Sequence, residues 1–252
     1  MAMNERGKES REFVVVTGAN GGIGRAIAKH LAEQGLNLVL CTRDKNEPFA
    51  IWASGLAEAH NVRIDLMEFD FRNSIDVKAA SMSLVKNYKV AGLVNCAGMP
   101  FGATILMTKI EDLSEIIEVN FINQVLFTQY ILKGMCSNKK GSIVNIASMS
   151  GINADAGTLA YGSSKAALIF FTKVAAAESG KYGVRVNAVC PGAIDTDMLS
   201  QMSEVALDRL KSRSAMARVG TPIEVATTVG FLLSDASSYI SGEVLQINGG
   251  KG

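Results

Sequence analysis

The sequence predicts an α/β fold: one domain spanning residues 1–252, built as a doubly wound parallel sheet of about seven strands with helices on both faces. Three observations point there. Apolar, β-branched runs alternate with amphipathic helical patterns from end to end, the βαβα order that parallel strands need for their crossovers. The strand candidates are apolar throughout rather than at every second residue, as strands covered on both faces must be. No linker, repeat or low-complexity segment divides the chain, and a chain this long buries about 70–75% of its unfolded surface in one core.

Taken in order, FVVVT (13–17) reads as the first strand and IGRAIAKHLAEQG (23–35) as a helix closed by a glycine C-cap. LVLCT (38–42) is a strand, 46–59 a helix, VRIDLMEF (62–69) a strand and 74–88 a helix. GLVNCAG (92–98) is a strand and turn, and 112–137 a long helix. SIVNIAS (142–148) is a strand ending at Ser148, followed by a helix over 158–182. VRVNAVCPG (184–192) is a strand and turn, 222–234 a helix, and VLQIN (244–248) the last strand. The irregular, Met-rich stretch 193–217 is a candidate lid over a site. Val90 to Thr108 carries no charge for 19 residues, long enough for a membrane helix. Gly92, Asn95, Gly98, Pro100 and Gly102 argue instead for a buried strand followed by a loop.

Charge and cysteine use narrow the function classes. The 25 Lys+Arg nearly cancel the 24 Asp+Glu without a long run of one sign, so no footprint for nucleic acid or an anionic membrane is expected. Cys41, Cys96, Cys136 and Cys190 lie among apolar or small residues with no CxxC spacing. They read as buried free thiols in a reducing compartment, not as a disulfide framework or a metal site. The polar opening MAMNERGKESRE does not resemble a signal peptide. The expected protein is soluble and cytoplasmic.

The first strand ends in TGANGGIGR, a T-G-x-x-x-G-x-G pattern with Gly18, Gly22 and Gly24. A glycine cluster alone serves many tight turns. Between a first strand and a first helix, it lets the backbone turn sharply and brings a pyrophosphate to the helix N-terminus. Where NAD sites place an acid, at the end of the second strand, this chain reads LCTRDK. Thr42 takes the acid's place and Arg43 follows; a guanidinium suits a 2′-phosphate. NADP(H) is therefore the expected cofactor. Asp44 keeps NAD(H) as the alternative, since a one-residue shift makes it the ribose acid.

YGSSK at 161–165 sets Tyr161 and Lys165 four residues apart on one helix face. A nearby ammonium favours the phenolate and so pulls a phenol's pKa down from about 10. Such a phenol can give a proton to a carbonyl oxygen and recover it in reverse. Taken alone, the spacing arises easily by chance. Its context is more specific: Gly18, Asn95, Ser148 and Gly192 all fall at carboxyl ends of expected strands, the edge where such sheets bind ligands.

These residues resemble the short-chain dehydrogenase/reductases, over nearly the whole chain. The matching stretches are TGANGGIG, NCAG (95–98), Asn120 in EVN, Ser148, YGSSK, PGAIDT (191–196) and GEVLQINGG (242–250). Within that family the likeness is strongest to 3-oxoacyl-(acyl carrier protein) reductases. The resemblance implies a Rossmann-type fold and assigns roles. Tyr161 is the general acid or base, Ser148 bonds the substrate oxygen, Lys165 holds the nicotinamide ribose, and Asn120 holds a water of the proton relay. Gly18, Asn20, Gly22, Ile23 and Gly24 form the phosphate turn, beside Arg43. Asp70 and Phe71 contact the adenine, and Asn95, Ala97 and Gly98 line the cofactor's floor. Pro191, Gly192, Ile194 and Thr196 meet the nicotinamide end. The implied substrate is a 3-oxoacyl thioester, with another ketone, a sugar, a steroid or a biosynthetic intermediate as the alternatives, and the implied partner is an acyl carrier protein.

The chain departs from that pattern in places. Cys96 stands where many members have a second Asn, and Asn20–Gly21 offers no basic residue to a 2′-phosphate. Ala177 stands where carrier-protein reductases tend to have an Arg; Lys139 and Lys140 are a substitute docking contact. A hydrolase is disfavoured, since G-x-S-x-G is missing and His30 and His60 sit in helical patterns away from the strand ends. A non-catalytic cofactor sensor is the rival from another class. AALIFF (166–171) wraps a helix in apolar residues, which predicts burial on both sides, against the sheet and against a second subunit. A homotetramer is what the resemblance implies.

Overall fold

In a computed structural model, which describes residues 11–196, 208, 211–212 and 214–250, seven strands form one sheet. They are β1 (Glu12–Thr17), β2 (Asn37–Thr42), β3 (Ile64–Glu68), β4 (Lys89–Asn95), β5 (Gly141–Ile146), β6 (Val184–Pro191) and β7 (Val244–Ile247). The spatial order is β3-β2-β1-β4-β5-β6-β7, and every pairing is parallel. The order reverses between β1 and β4, and ligands bind such sheets at the carboxyl ends beside that reversal.

Six helices among the described residues cover the two faces. They are α1 (Gly22–Glu33), α2 (Glu47–His60), α3 (Ser74–Asn87), α5 (Asn123–Asn138), α6 (Leu159–Ser179) and α7 (Pro222–Leu233), with the short α4 (Ile110–Ile117) running into α5. Local chemistry sets their ends. Asn46 and Asn73 accept from backbone N–H groups in the first turns of α2 and α3. Thr221 and Glu224 form a capping box before α7, with Pro222 at its first position. One core layer joins Ile27, Leu31, Phe49, Val225 and Val229 to the sheet; the other joins Leu84, Phe127, Ile131 and Met135. Such burial stabilises by roughly 1.5–3 kcal/mol per large side chain.

Several expected boundaries shift. The helix expected over 112–137 starts at Ile110 and is interrupted by a π-helical turn, Glu118–Ile122. The strand expected to end at Ser148 stops at Ile146; Ser148 instead caps a 3-10 turn, Met149–Gly151, accepting from Ser150 N at 3.1 Å. The uncharged stretch from Val90 is a strand to Asn95 and then a loop. No helix among the described residues is long and apolar enough to cross a membrane. Most of the candidate lid at 193–217 lies outside the described residues. Its first foot is pinned by an isolated bridge between Ile194 and Gly220, its return by Met216 N donating to Gly249 O at 3.1 Å.

Candidate active site

A cleft of about 1080 Å³ opens along the carboxyl edge of the sheet. Its floor is set by Thr17 at the end of β1. That hydroxyl accepts from the N–H groups of Cys96 and Ala97, both at 3.0 Å, and donates to Val94 O, stitching β1 to the turn after β4. Gly18 then turns with φ +63°, and a Cβ there would lie 2.8 Å from Ala97 Cα. Only glycine allows both the left-handed turn and that approach. The expected phosphate-turn residues Gly18, Asn20, Gly22, Ile23 and Gly24 all line the cleft.

At one end, Arg43 and Asp44 follow the buried Thr42, whose hydroxyl bonds the backbone of Asp44 and shapes the turn. Asp70 and Phe71 form the adjoining wall. Asn123 Nδ2 donates to Phe71 O at 2.7 Å, and the Phe71 ring packs against Phe69 and Phe127. Arg72 also lines this wall, held by Glu115 at 2.8 Å. At the other end, Pro191, Gly192, Ile194 and Thr196 line the cleft after β6.

The floor motif divides in two. Ala97 and Gly98 line the cleft, but Asn95 is fully buried beneath it. Its Nδ2 donates to Thr128 Oγ1 and Asn145 Oδ1, both at 2.8 Å, so Asn95 ties β4 to β5 and α5 rather than facing a ligand. Cys96 takes a place in the lining.

Ser148, Tyr161 and Lys165 meet inside the same cleft. Lys165 is 3% exposed; its Nζ donates to Ile146 O at 2.9 Å and lies 5.7 Å from the centre of the Tyr161 ring. A Cβ on Gly98 would lie 3.3 Å from Asn120 Oδ1 and 3.4 Å from Lys165 Nζ, so these groups crowd one corner. Burial pulls the Lys165 ammonium down to about 8. Burial also pushes the Tyr161 phenol up, while the Ser148 hydroxyl, hydrogen-bonded to it, pulls the other way. The lowered phenol expected from the four-residue spacing is therefore not what the structure gives. Spacing records which groups are neighbours but not the burial that raises the phenol. Burial raises the thiols of Cys96 and Cys190 to about 11, above the usual thiol value.

Asn120 sits on the π-helical turn, fully buried. Its Oδ1 accepts from Met99 N at 2.7 Å, and its Nδ2 donates to Met99 O at 2.9 Å and Ser164 Oγ at 3.2 Å. The side chain is thus committed to holding the loop after Gly98, and Ser164 links it onward to Tyr161 O at 2.7 Å. Met99, Pro100, Phe101 and Gly102 give the neighbouring wall an apolar lining. Sequence reasoning missed Thr17, Arg72 and this wall. Thr17 alone carried a signal, by opening the T-G turn. Lys140 is paired with Glu12 at 2.9 Å at the amino end of β5, across the sheet from this chain's own cleft.

An all-parallel sheet with a glycine turn at its reversal point, and Ser148, Tyr161 and Lys165 in the adjoining cleft, defines an oxidoreductase of the dinucleotide-binding class. The chain belongs to the short-chain dehydrogenase/reductase family. Residues 18–251 match the family model described as enoyl-(acyl carrier protein) reductase. The chain is 37% identical to the 3-oxoacyl-[acyl-carrier-protein] reductase FabG of Aquifex aeolicus, over 94% of this chain and 95% of that one. It is 36% identical to carbonyl reductase family member 4 of Xenopus laevis, over 93% and 95%. Among solved structures, a variant actinorhodin polyketide ketoreductase with NADPH superposes with a TM-score of 0.88 at 32% identity, covering 96% of this chain and 97% of that one. These likenesses support carbonyl reduction with a nicotinamide cofactor.

Proposed function

We propose that the chain is an NADP(H)-dependent reductase converting a 3-oxoacyl thioester to the 3-hydroxy compound. The observation that carries this reading is the meeting of Ser148, Tyr161 and Lys165 in the cleft that the glycine turn opens into. The residues present fit a dinucleotide. A glycine turn leads into the α1 N-terminus, Asp70 and Phe71 wall the same cleft, and the guanidinium of Arg43 on its lining suits a 2′-phosphate. The bound dinucleotide supplies the hydride. Ser148 and Tyr161 hydroxyls donate to the substrate's carbonyl oxygen, and Tyr161 releases its proton to that oxygen as negative charge develops there. A phenol holds its proton at neutral pH and so starts the reductive direction as the acid. Lys165 keeps a positive charge beside the phenolate that remains. The apolar wall from Met99 to Gly102 favours an acyl chain over a sugar.

The reading includes one domain over residues 1–252, a cytoplasmic location and a homotetramer. Acyl carrier protein as the thioester's carrier is supported by the relatives' names. Ala177 offers no docking charge, and Lys140 is engaged by Glu12. The test is NADPH oxidation with acetoacetyl thioesters and a panel of other ketones. Tyr161→Phe should lower kcat about 10²–10⁴-fold while NADPH still binds. Unchanged turnover in that variant would remove Tyr161 from the chemistry. Wild type inert toward every carbonyl, but still binding NADPH, would favour a cofactor sensor.

A further inference from the structure

One arrangement at the edge of the cleft has no part in the chemistry above. Asn20, in the glycine turn, lines the cleft. Its Oδ1 accepts two hydrogen bonds from Arg25, from Nε at 3.1 Å and from Nη2 at 2.6 Å. The guanidinium of Arg25 in turn lies 5.1 Å from the ring centre of Trp52 and 5.4 Å from that of Phe49. Those two rings are stacked on each other, 5.5 Å apart and 21° from parallel. The platform is firm: Phe49 is fully buried, and its N–H is held by Asn46 at the start of α2. Arg25 is thus fixed on one face by aromatic rings and spends two donors on a single oxygen.

The chemistry of this contact decides which way the Asn20 amide faces. A guanidinium has donors and no acceptor, so the atom turned to it must be the amide oxygen. The amide nitrogen, with its two donors, is then directed away from Arg25. It has no hydrogen-bond partner among the described residues. The next residue, Gly21, has no side chain to contribute. A turn without a basic residue of its own therefore presents one oriented amide donor on a cleft-lining side chain.

We propose that Arg25 is a positioning residue for the cofactor turn: braced on Phe49 and Trp52, it locks the Asn20 amide so that Nδ2 donates to a phosphate oxygen of the dinucleotide. This rests on the cofactor reading above. It also makes Trp52, the chain's single tryptophan, a reporter of the brace.

The test is a double-mutant cycle on the full-length protein, with dissociation constants for NADPH and NADH read by titration. Asn20→Ala and Arg25→Met should each weaken binding about tenfold, the scale of one lost hydrogen bond to a charged group. The double variant should bind no worse than Asn20→Ala, because Arg25 acts through Asn20. Arg25→Lys, which keeps a donor and a charge over the rings, should recover most of the loss. Trp52 emission without ligand should shift in Arg25→Met and stay unchanged in Asn20→Ala. Loss for both dinucleotides would place the donor at the shared pyrophosphate; loss for NADPH alone would place it at the 2′-phosphate. Wild-type affinity in Asn20→Ala, or losses that multiply to about a hundredfold in the double variant, would overturn the proposal. If Arg25→Met does not fold, the Asn20→Ala and Arg25→Lys arms decide it. A wild-type protein that binds neither dinucleotide would remove the cofactor reading first, and this proposal with it.

Discussion

Lys165 shows what a buried charge does to the pH dependence of the fold. Its amine falls from 10.5 to about 8 because it is desolvated, with Ile146 O as its hydrogen-bond acceptor. Between those values the unfolded chain holds a proton that the folded chain has released. Raising the pH through that window therefore stabilises the fold, by up to about 3 kcal/mol. Lys165→Met removes the group, so its stability lacks this rise. Urea unfolding of both proteins at about pH 7.5 and pH 10 should show their difference changing by roughly 2–3 kcal/mol. A difference that stays constant would mean the amine is solvated. Arg43 carries a second prediction at this scale. Arg43→Ala should weaken NADPH binding about tenfold or more and leave NADH binding nearly unchanged, because a 2′-phosphate is the one group the two cofactors do not share. Equal effects on both would return the choice to Asp44. The identities of Tyr161, Lys165 and Ser148 were legible in the sequence from helical spacing taken together with the resemblance carried by YGSSK and Ser148, although the strand stops at Ile146 rather than at Ser148. The direction of the phenol's titration was not legible, because burial depends on what packs around a side chain.

Two short elements fix the geometry that spacing alone leaves open. The π-helical turn at Glu118–Ile122 carries Asn120, whose side chain clasps both polar groups of the Met99 backbone. Apolar periodicity over 112–137 reads as one continuous helix. One extra residue in a turn shifts that pattern too little to register, and so the interruption stayed hidden. Asn95 was misplaced for a related reason: strand residues alternate between faces, and its side chain falls toward α5 rather than the cleft. The second element is the 3-10 turn after Ser148, which presses on α6 at Gly162. A Cβ there would lie 2.6 Å from Ser150 O, a backbone atom with little room to move. Within a helix, Gly→Ala usually stabilises by about 1 kcal/mol. Overpacking at this contact costs about 1–3 kcal/mol and should win. Gly162→Ala is therefore expected to be less stable than wild type and to lose activity as the Ser148 turn moves off Tyr161. Gly55→Ala in α2, where a Cβ meets nothing within 4 Å, should be neutral or stabilised and fully active. Similar behaviour of the two variants in urea unfolding and turnover would show that the close approach is not needed.

At the scale of the whole molecule, the alternation of strands and helices made the parallel sheet readable, because every crossover leaves its own apolar pattern. What surrounds the chain was less readable. AALIFF predicted burial on both sides of α6, yet within one chain Leu168 is fully buried while Phe170 is 70% exposed. Ala166, Phe170, Val174 and Ala177 are all exposed and follow one another at helical spacing, so they form a continuous small-and-apolar line on the outer face of α6. A lone exposed apolar residue needs no explanation, but a contiguous line with a phenyl ring at its centre is the kind of surface expected to meet a partner. A helix face of this kind can pair with its own copy about a two-fold axis, and each residue then contributes twice to the contact. Phe170→Glu would bury two carboxylates in such an interface without touching this chain's own core. The wild-type protein is expected to sediment as an oligomer at micromolar concentration. The variant should sediment as a smaller species, with its secondary structure unchanged. Sedimentation of the variant at the wild-type rate would place the subunit contact elsewhere, and a monomeric wild type would leave Phe170 facing water.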